Sequence, residues 1–115
     1  MLPDEDVERL HHMQDAASEG YSFIFGKSLE ELEADRPLQL ILQHCLLILG
    51  EAASNVSEST RATIPEIRWT AIRGMRNRLA HAYFAIDLEI VWHTATEDLP
   101  MIIQQLSRYL TTPDK

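Results

Sequence analysis

The sequence predicts an all-α protein, an up-and-down four-helix bundle with one or two short extra helices. Leu, Ala, Glu and Ile dominate its 115 residues, and only four Gly and five Pro are available for turns. Apolar residues recur at steps of three and four along most of the chain, as in helices that bury one face. No stretch alternates polar and apolar residues as a strand would. The length fits a single domain, which we expect to span residues 1–115.

Capping signals mark the first two helices. A long helix is expected from about Pro3 to Phe25, and Gly26 should end it. Ser28 and Glu31 have the spacing of a capping box, in which each side chain bonds to the other's backbone N–H. The sequence therefore predicts a short second helix that begins directly after Ser28.

The third helix is the most apolar one. Asp35 and Pro37 have the types expected for an N-cap and a first turn. The apolar stripe that follows widens almost all the way round, so this helix should be central or lie at a subunit contact. A short polar helix is expected at about residues 58–62, and Pro65 should separate it from the helix that follows.

Two further helices complete the predicted bundle. One should run from Trp69 to about Tyr83, and it carries the basic segment described below. Asp87 should cap the other, whose apolar residues recur up to Leu110. Pro100 lies inside that pattern and should kink or divide the helix, because proline lacks a backbone N–H.

Neither the first residues nor the longest apolar stretch predicts a membrane protein. The first six residues include three acids (Asp4, Glu5 and Asp6) and no basic residue, unlike a signal peptide. The stretch 38–49 contains Gln39, Gln43 and His44 and is too short to span a bilayer. Cys45 is the single cysteine, so no disulfide framework is expected. We expect a soluble, cytoplasmic protein with no membrane partner.

Charge is unevenly distributed along the chain. The formal net charge of −8 argues against a nucleic-acid partner. From Arg61 to His81, however, there are five Arg and one acid, Glu66, a local balance of +4 that leaves −12 for the other residues. Such a strip fits a short or single-stranded nucleic acid, or an acidic protein, better than a long duplex. A solvated helix face that is basic by chance fits it as well.

Angular positions on the basic helix separate its residues into sets, since each residue advances about 100°. The expected core stripe consists of Ile72, Met75, Leu79, Ala82 and Ile86. Arg73, Asn77 and His81 follow one another on the opposite, open side. Arg76 and Tyr83 lie together at one edge of the core stripe. Arg76 and His81 are about 140° apart, so either the helix unwinds near His81 or a second copy of the chain completes the site. We favour a homodimer with a shared cleft.

The side chains of this segment could cleave RNA without a metal. A histidine can take a proton from a ribose 2′-OH or deliver one to the leaving oxygen. Arg76 could hold the phosphate and stabilise its transition state. Asn77 could orient His81 or the substrate, and Arg73 and Arg78 could help to bind it. We expect no cofactor and no metal site.

A structural role is open for the same residues. Arg76 could pair with Glu51 inside the bundle, and His81 could simply end a helix. Glu51 is expected to be a buried or cleft acid, and pairing with an arginine would satisfy it. Spacing alone does not decide between the two interpretations.

The segment Arg76…His81-Ala82-Tyr83, an Arg-x4-His followed by x-Tyr, resembles the signature of HEPN-domain proteins of the HepT-like toxin group. Residues 50–53 (Gly-Glu-Ala-Ala), 64–69 and 87–92 also occur in that family's order and spacing. Arg-x4-His alone is a weak signal, but with these neighbouring segments it becomes strong. The resemblance covers nearly the whole chain.

The resemblance implies a dimeric bundle and a metal-independent endoribonuclease, the toxin of a type II-like toxin–antitoxin pair. It implies that Arg76 and His81 are the catalytic pair and Asn77 the polar residue within the motif. The usual partner of the family is an MNT-type minimal nucleotidyltransferase antitoxin, which can modify a tyrosine with AMP. Tyr83 matches that tyrosine. AMP on Tyr83 would bring a bulky anion beside the catalytic pair and block RNA phosphate.

Three functions remain open at this point. The first is an RNase toxin, with tRNA and mRNA both possible targets. The second is a non-catalytic helical module whose basic strip docks on a nucleotidyltransferase and which is AMP-modified on Tyr83. The third makes the nucleotidyltransferase the effector and this chain its substrate or activator.

Overall fold

The computed structural model describes residues 2–81 and 87–110, and of His81 only the backbone. Within those residues the fold is all-helical and contains no strand, as predicted. The helices are α1 (Asp4–Ile24), α2 (Leu29–Glu33), α3 (Arg36–Ser54), α4 (Glu58–Thr63), α5 (Trp69–His81), α6 (Leu88–His93) and α7 (Leu99–Ser107). A π turn (Thr94–Asp98) joins α6 to α7.

The predicted capping residues lie at the helix ends. Gly26 follows α1 with a φ of +79°, a conformation that glycine adopts without strain. Ser28 and Glu31 form both hydrogen bonds of the capping box at the start of α2. Asp35 accepts a hydrogen bond of 3.0 Å from the backbone N–H of Leu38 at the start of α3. Asp87 caps α6 in the same way. These local predictions are confirmed.

α3 is the central helix of the bundle. It packs against α1 on one side and α5 on the other, and α7 packs against α1. Leu42 and Leu46 are buried, whereas Leu40, Ile41 and Ile48 are exposed. The nearly continuous apolar surface of α3 is therefore used only in part within one chain. No helix in the described ranges is long and apolar enough to cross a membrane.

A buried carboxylate fastens α1 to α4. Asp6 is 5% exposed and accepts hydrogen bonds from the Ser57 hydroxyl (2.5 Å), the Thr60 hydroxyl (2.5 Å) and the Ser57 backbone N–H (3.0 Å). These bonds, from Ser57 first and then Thr60, lower the pKa of Asp6 below its ordinary value, against the opposing effect of burial. The carboxylate therefore stabilises the fold in its charged form.

The last long helical segment is divided near Pro100, as predicted. The π turn nevertheless joins α6 to α7 without a break in helical structure. A proline at this position has no N–H for the carbonyl of Thr96, and its ring would clash with that group in an α-helix. The π turn provides the alternative, because the backbone N–H of Leu99 donates to the carbonyl of Thr94, five residues earlier. Helical structure thus continues into α7, where Leu99, Ile102 and Leu106 are buried.

Candidate active site

α5 presents the faces that its angular pattern predicts. Ile72 and Leu79 are buried and Met75 is partly buried against the core. Arg73 and Asn77 are exposed. Ala82 and Ile86, the remaining residues of the predicted stripe, lie outside the described residues. The orientation of α5 is therefore confirmed for the part of the stripe that can be compared.

A glycine on α3 sets how closely α5 approaches at Arg76. A Cβ built on Gly50 would lie 2.3 Å from the Cβ and 2.8 Å from the Cγ of Arg76, and 3.3 Å from the carbonyl oxygen of Ile72. No side chain larger than a hydrogen atom fits there without moving α5. In the sequence, Gly50 stands out only as part of the segment 50–53 that resembles the family. Its place directly before Glu51 in an apolar helix was the available signal for this contact.

The guanidinium of Arg76 is held by two neighbours. Its Nε donates a hydrogen bond of 3.0 Å to Oε2 of Glu51, and its Nη2 donates to the same oxygen. Its Nη1 donates to Oδ1 of Asn77 at 3.1 Å. The side chains of Arg76 and Glu51 are 32% and 47% exposed, so the pair lies at the surface of the bundle. The pairing of Glu51 with Arg76, one of the two interpretations that the sequence left open, is therefore present, and Glu51 is half exposed rather than buried.

This arrangement leaves part of the guanidinium available. An arginine side chain has five N–H donors, of which the three bonds above use three. One N–H on Nη1 and one on Nη2 have no partner among the described residues, and such a pair can bind two oxygens of a phosphate. An ion pair this exposed contributes little to stability, about 0–1 kcal/mol. Its larger effect is to fix the direction of the Arg76 side chain.

The His81 side chain and the whole of Tyr83, two further predicted site residues, lie outside the described residues. α5 extends to His81, whose side chain is not described, and Tyr83 lies in the undescribed range 82–86. The expected divergence of Arg76 and His81, and the nearness of Tyr83 to Arg76, stay predictions. Arg78 is exposed and lines a surface groove on α5, on the side away from Arg76.

Metal ligands do not cluster in the described part of the chain. Within it, no three His, Cys, Asp or Glu side chains come close enough together to hold a metal ion. The expectation that the site needs no metal stays a prediction.

Comparison with known proteins identifies the class to which this helical bundle and its α5 segment belong. Residues 13–109 match the family model described as ribonuclease HepT-like, and the chain belongs to that family. The match includes all of α3 and α5, and therefore Glu51, Arg76 and Asn77.

Individual relatives carry names of the same kind. The protein named "Probable ribonuclease HepT" from Thermococcus cleftensis is 36% identical over 73 residues, 64% of this chain and 66% of that protein. Two proteins named "Putative RNase" are also similar. The one from Caldanaerobacter subterraneus is 32% identical over 85 residues (74% and 76% of the two chains), and one from Methanocaldococcus jannaschii is 26% identical over 110 residues (95% and 91%). No solved structure matches the chain.

Proposed function

We propose that the chain is a metal-independent endoribonuclease and the toxin of a type II-like toxin–antitoxin pair. Its membership of the ribonuclease HepT-like family supports the nuclease activity. The geometry of Arg76 supports the assignment of the site, because two of its N–H groups stay available while Glu51 and Asn77 fix the side chain. The proposal rests most directly on this guanidinium, which is fixed in position and keeps two N–H groups available.

The reaction uses the neighbouring 2′-OH of the RNA as its nucleophile. The 2′ oxygen attacks phosphorus, the bond from phosphorus to the 5′ oxygen breaks, and the products are a 2′,3′-cyclic phosphate and a 5′-OH. His81 takes the proton of the 2′-OH and delivers a proton to the leaving 5′ oxygen. Arg76 binds the phosphate oxygens and offsets the charge that grows on them in the transition state. Asn77, Arg73 and Arg78 orient or bind the RNA.

Two copies of the chain form the cleft in this proposal. Ile41, His44, Ile48 and Glu51 lie within roughly 80° of one another around α3. Ile41 and Ile48 are exposed, and an exposed apolar strip on a soluble protein commonly marks a contact surface. A second copy seated on this strip would lie beside Glu51 and Arg76. Such a dimer would bring together Arg76 and His81 of different chains, which the helical pattern predicts to point in different directions within one chain.

The proposed antitoxin is an MNT-type nucleotidyltransferase that transfers AMP to Tyr83. The family resemblance supports this partner, and the proximity of residue 83 to Arg76 on the helical pattern supports the consequence. AMP would add a phosphate and a nucleoside at the entrance to the RNA site, where it would compete with RNA phosphate for Arg76.

A second candidate function is a non-catalytic binding module that docks on the nucleotidyltransferase and is modified on Tyr83. The ion pair between Arg76 and Glu51 favours it, because an arginine with a purely structural role would make the same bond. In that case purified protein would leave RNA intact.

The histidine variant His81→Ala separates the two candidates. A nuclease requires that this variant no longer cleaves purified RNA and no longer arrests growth, while its circular dichroism stays that of the parent. His93→Ala is the matched control, since His93 is an exposed histidine on α6 outside the proposed site. Full toxicity of His81→Ala, or equal loss in both variants, would contradict the proposal.

A further inference from the structure

A second concave site lies on the other side of α5. Because α5 packs against α3 whereas α7 packs against α1, a groove of about 320 Å³ opens between α5 and the segment from α6 to α7. Its floor contains Leu46 and Leu49 of α3, with Ile72 and Ile102 on the two walls. We name this site the α5/α7 groove. Its volume and mainly apolar lining are those of a binding site.

The α5/α7 groove lies on the other side of α5 from Arg76, and Arg78 is the one proposed RNA-binding residue that lines it. Met75 and Arg78 line it, whereas Arg76 turns toward Gly50 and Glu51. Positions 76 and 78 lie about 160° apart around a helix. Binding in the α5/α7 groove therefore does not require RNA cleavage at Arg76.

The α5/α7 groove is elongated and has helices for walls. Along the segment from α6 to α7 its lining extends from Ile90 to Gln105, about 20 Å at the rise of a helix. Two apolar side chains on that wall are exposed, Ile90 (41%) and Met101 (48%). Methionine adapts its shape to whatever packs on it. A length of this kind suits three to four turns of a further helix laid between α5 and α7.

The charges around the α5/α7 groove are cationic on balance. The charged residues of its lining are Arg68, Arg78 and Asp98. Arg68 is 72% exposed and lies 4.0 Å from Asp98, which leaves Arg78 as the charge without an acid beside it in the described residues. The whole chain, by contrast, carries −8. A carboxylate of a partner would be attracted here, whereas the net negative charge of the chain repels it elsewhere.

We propose that the α5/α7 groove binds an acidic amphipathic helix of a partner protein. Apolar residues of that helix, at steps of three and four, fill the groove over Leu46 and Leu49, and an Asp or Glu at its edge pairs with Arg78. RNA fits the groove less well, because a polyanion needs a continuous row of cations and Asp98 interrupts this one.

Gly74 offers a way to close the α5/α7 groove without disturbing the fold. It lines the groove, and a Cβ built on it meets no heavy atom within 4 Å. Gly74→Trp should therefore occupy the groove from α5. Arg78→Glu reverses its charge, and Arg73→Glu is the matched control, since Arg73 is exposed on the same helix but does not line the groove.

The test uses a display library of random peptides of about fourteen residues, the length of four helical turns. Selection on the full chain should enrich helical sequences with apolar residues at steps of three and four and at least one Asp or Glu. Fluorescence polarisation should show binding that is weakened about tenfold or more by Gly74→Trp and by Arg78→Glu, and changed little by Arg73→Glu. Added salt should weaken it as well.

Other occupants would appear as different results. Enrichment of basic peptides, or binding that survives both groove variants, would overturn the proposal. So would a single-stranded RNA oligonucleotide that binds the parent chain and is lost in Gly74→Trp. Light scattering that shows a dimer of the parent chain but a monomer of both groove variants would assign the groove to a second copy of the chain. If Gly74→Trp fails to fold, Arg78→Glu and its control still decide the outcome.

Discussion

The Cα of Gly50 and the side-chain stem of Arg76 occupy adjoining space, so that a Cβ added to Gly50 would lie 2.3 Å from the Cβ of Arg76. Glu51, the next residue on α3, accepts two hydrogen bonds from the guanidinium at the other end of the same side chain. One short segment of α3 therefore fixes both the depth and the direction of Arg76.

Gly50→Ala should destabilise the fold and reduce activity together. The added methyl group must push α5 away from α3, and overpacking of this kind costs about 1–3 kcal/mol. Arg76 would move with α5, so RNA cleavage should fall more than the loss of folded protein explains. Urea unfolding and cleavage assays measure the two effects.

Gly74→Ala is the control for that substitution. It also places a methyl group on a helical glycine, but in open space. Alanine favours a helix over glycine by about 0.5–1 kcal/mol, so this variant should be more stable than the parent. Equal unfolding midpoints for Gly50→Ala and the parent would show that α5 moves without cost.

Reversing the ion pair between Glu51 and Arg76 should separate structure from function. Each single charge reversal places like charges together, whereas Glu51→Arg combined with Arg76→Glu restores an attractive pair. We expect the double variant to recover most of the small stability loss, about 1 kcal/mol or less. It should not recover RNA cleavage, because residue 76 would then repel phosphate.

Arg76→Lys extends the same test. It keeps the charge but loses the planar fork that serves Glu51 and a phosphate at once, and kcat should fall about a hundredfold. A double variant with parental activity, or full activity of Arg76→Lys, would mean that Arg76 serves only the fold.

Asp6→Asn should remove a pH-dependent part of the stability. The asparagine amide would face the hydroxyl donors with an N–H₂ group, which cannot accept their hydrogen bonds. The free energy of unfolding should therefore fall by about 2 kcal/mol near pH 7. Because the folded pKa of Asp6 lies below the unfolded value of about 3.9, the unfolded chain binds the proton more readily. The stability that Asp6 contributes is full above the unfolded pKa and is lost as pH falls through the folded pKa.

Urea unfolding of the parent chain and Asp6→Asn across the acidic range measures this difference. The gap between the two should narrow as the solution becomes more acidic. A gap that stays constant with pH would show that the carboxylate is not the source of the stabilisation. Asp4→Asn is a suitable control, since Asp4 is an exposed acid in the same helical turn.

Cys45 should react slowly with a thiol reagent in the folded protein. Burial raises the pKa of its thiol, and the charge of Glu19 raises it further. Since the thiolate is the reactive form, labelling near pH 8 should be at least about tenfold slower than in denaturant. It is the single cysteine of the chain, so one signal reports it. Equal rates in the two conditions would mean that α3 opens readily.

The sequence predicts the local parts of this fold well. Ser28, Asp35 and Asp87 cap helices through bonds to residues two or three positions away, and such spacing is visible in a sequence. The buried face of α5 follows from the spacing of its apolar residues. The pairing of Glu51 with Arg76 is one of the two roles that the sequence allows for Arg76. Each of these depends on one helix or on a charge that needs a partner.

Most other contacts between distant segments do not follow from the sequence. In the sequence Asp6 is one of three acids near the start of the chain, and its partners Ser57 and Thr60 lie more than fifty residues away. The α5/α7 groove depends on how far apart two helices lie, which no periodicity encodes. Gly50 is a further case, because a glycine in a helix has many uses and only the neighbouring helix shows which one applies.

The π turn before Pro100 has a consequence for comparing this chain with its relatives. A turn closed by a bond over five residues holds one residue more than the α-helical turn that it replaces. A relative whose helix is a regular α-helix at this point would therefore need a one-residue gap between positions 94 and 98 in a pairwise alignment. Without that gap, each α7 residue would be matched to a neighbour about 100° away, and buried positions would be scored against exposed ones.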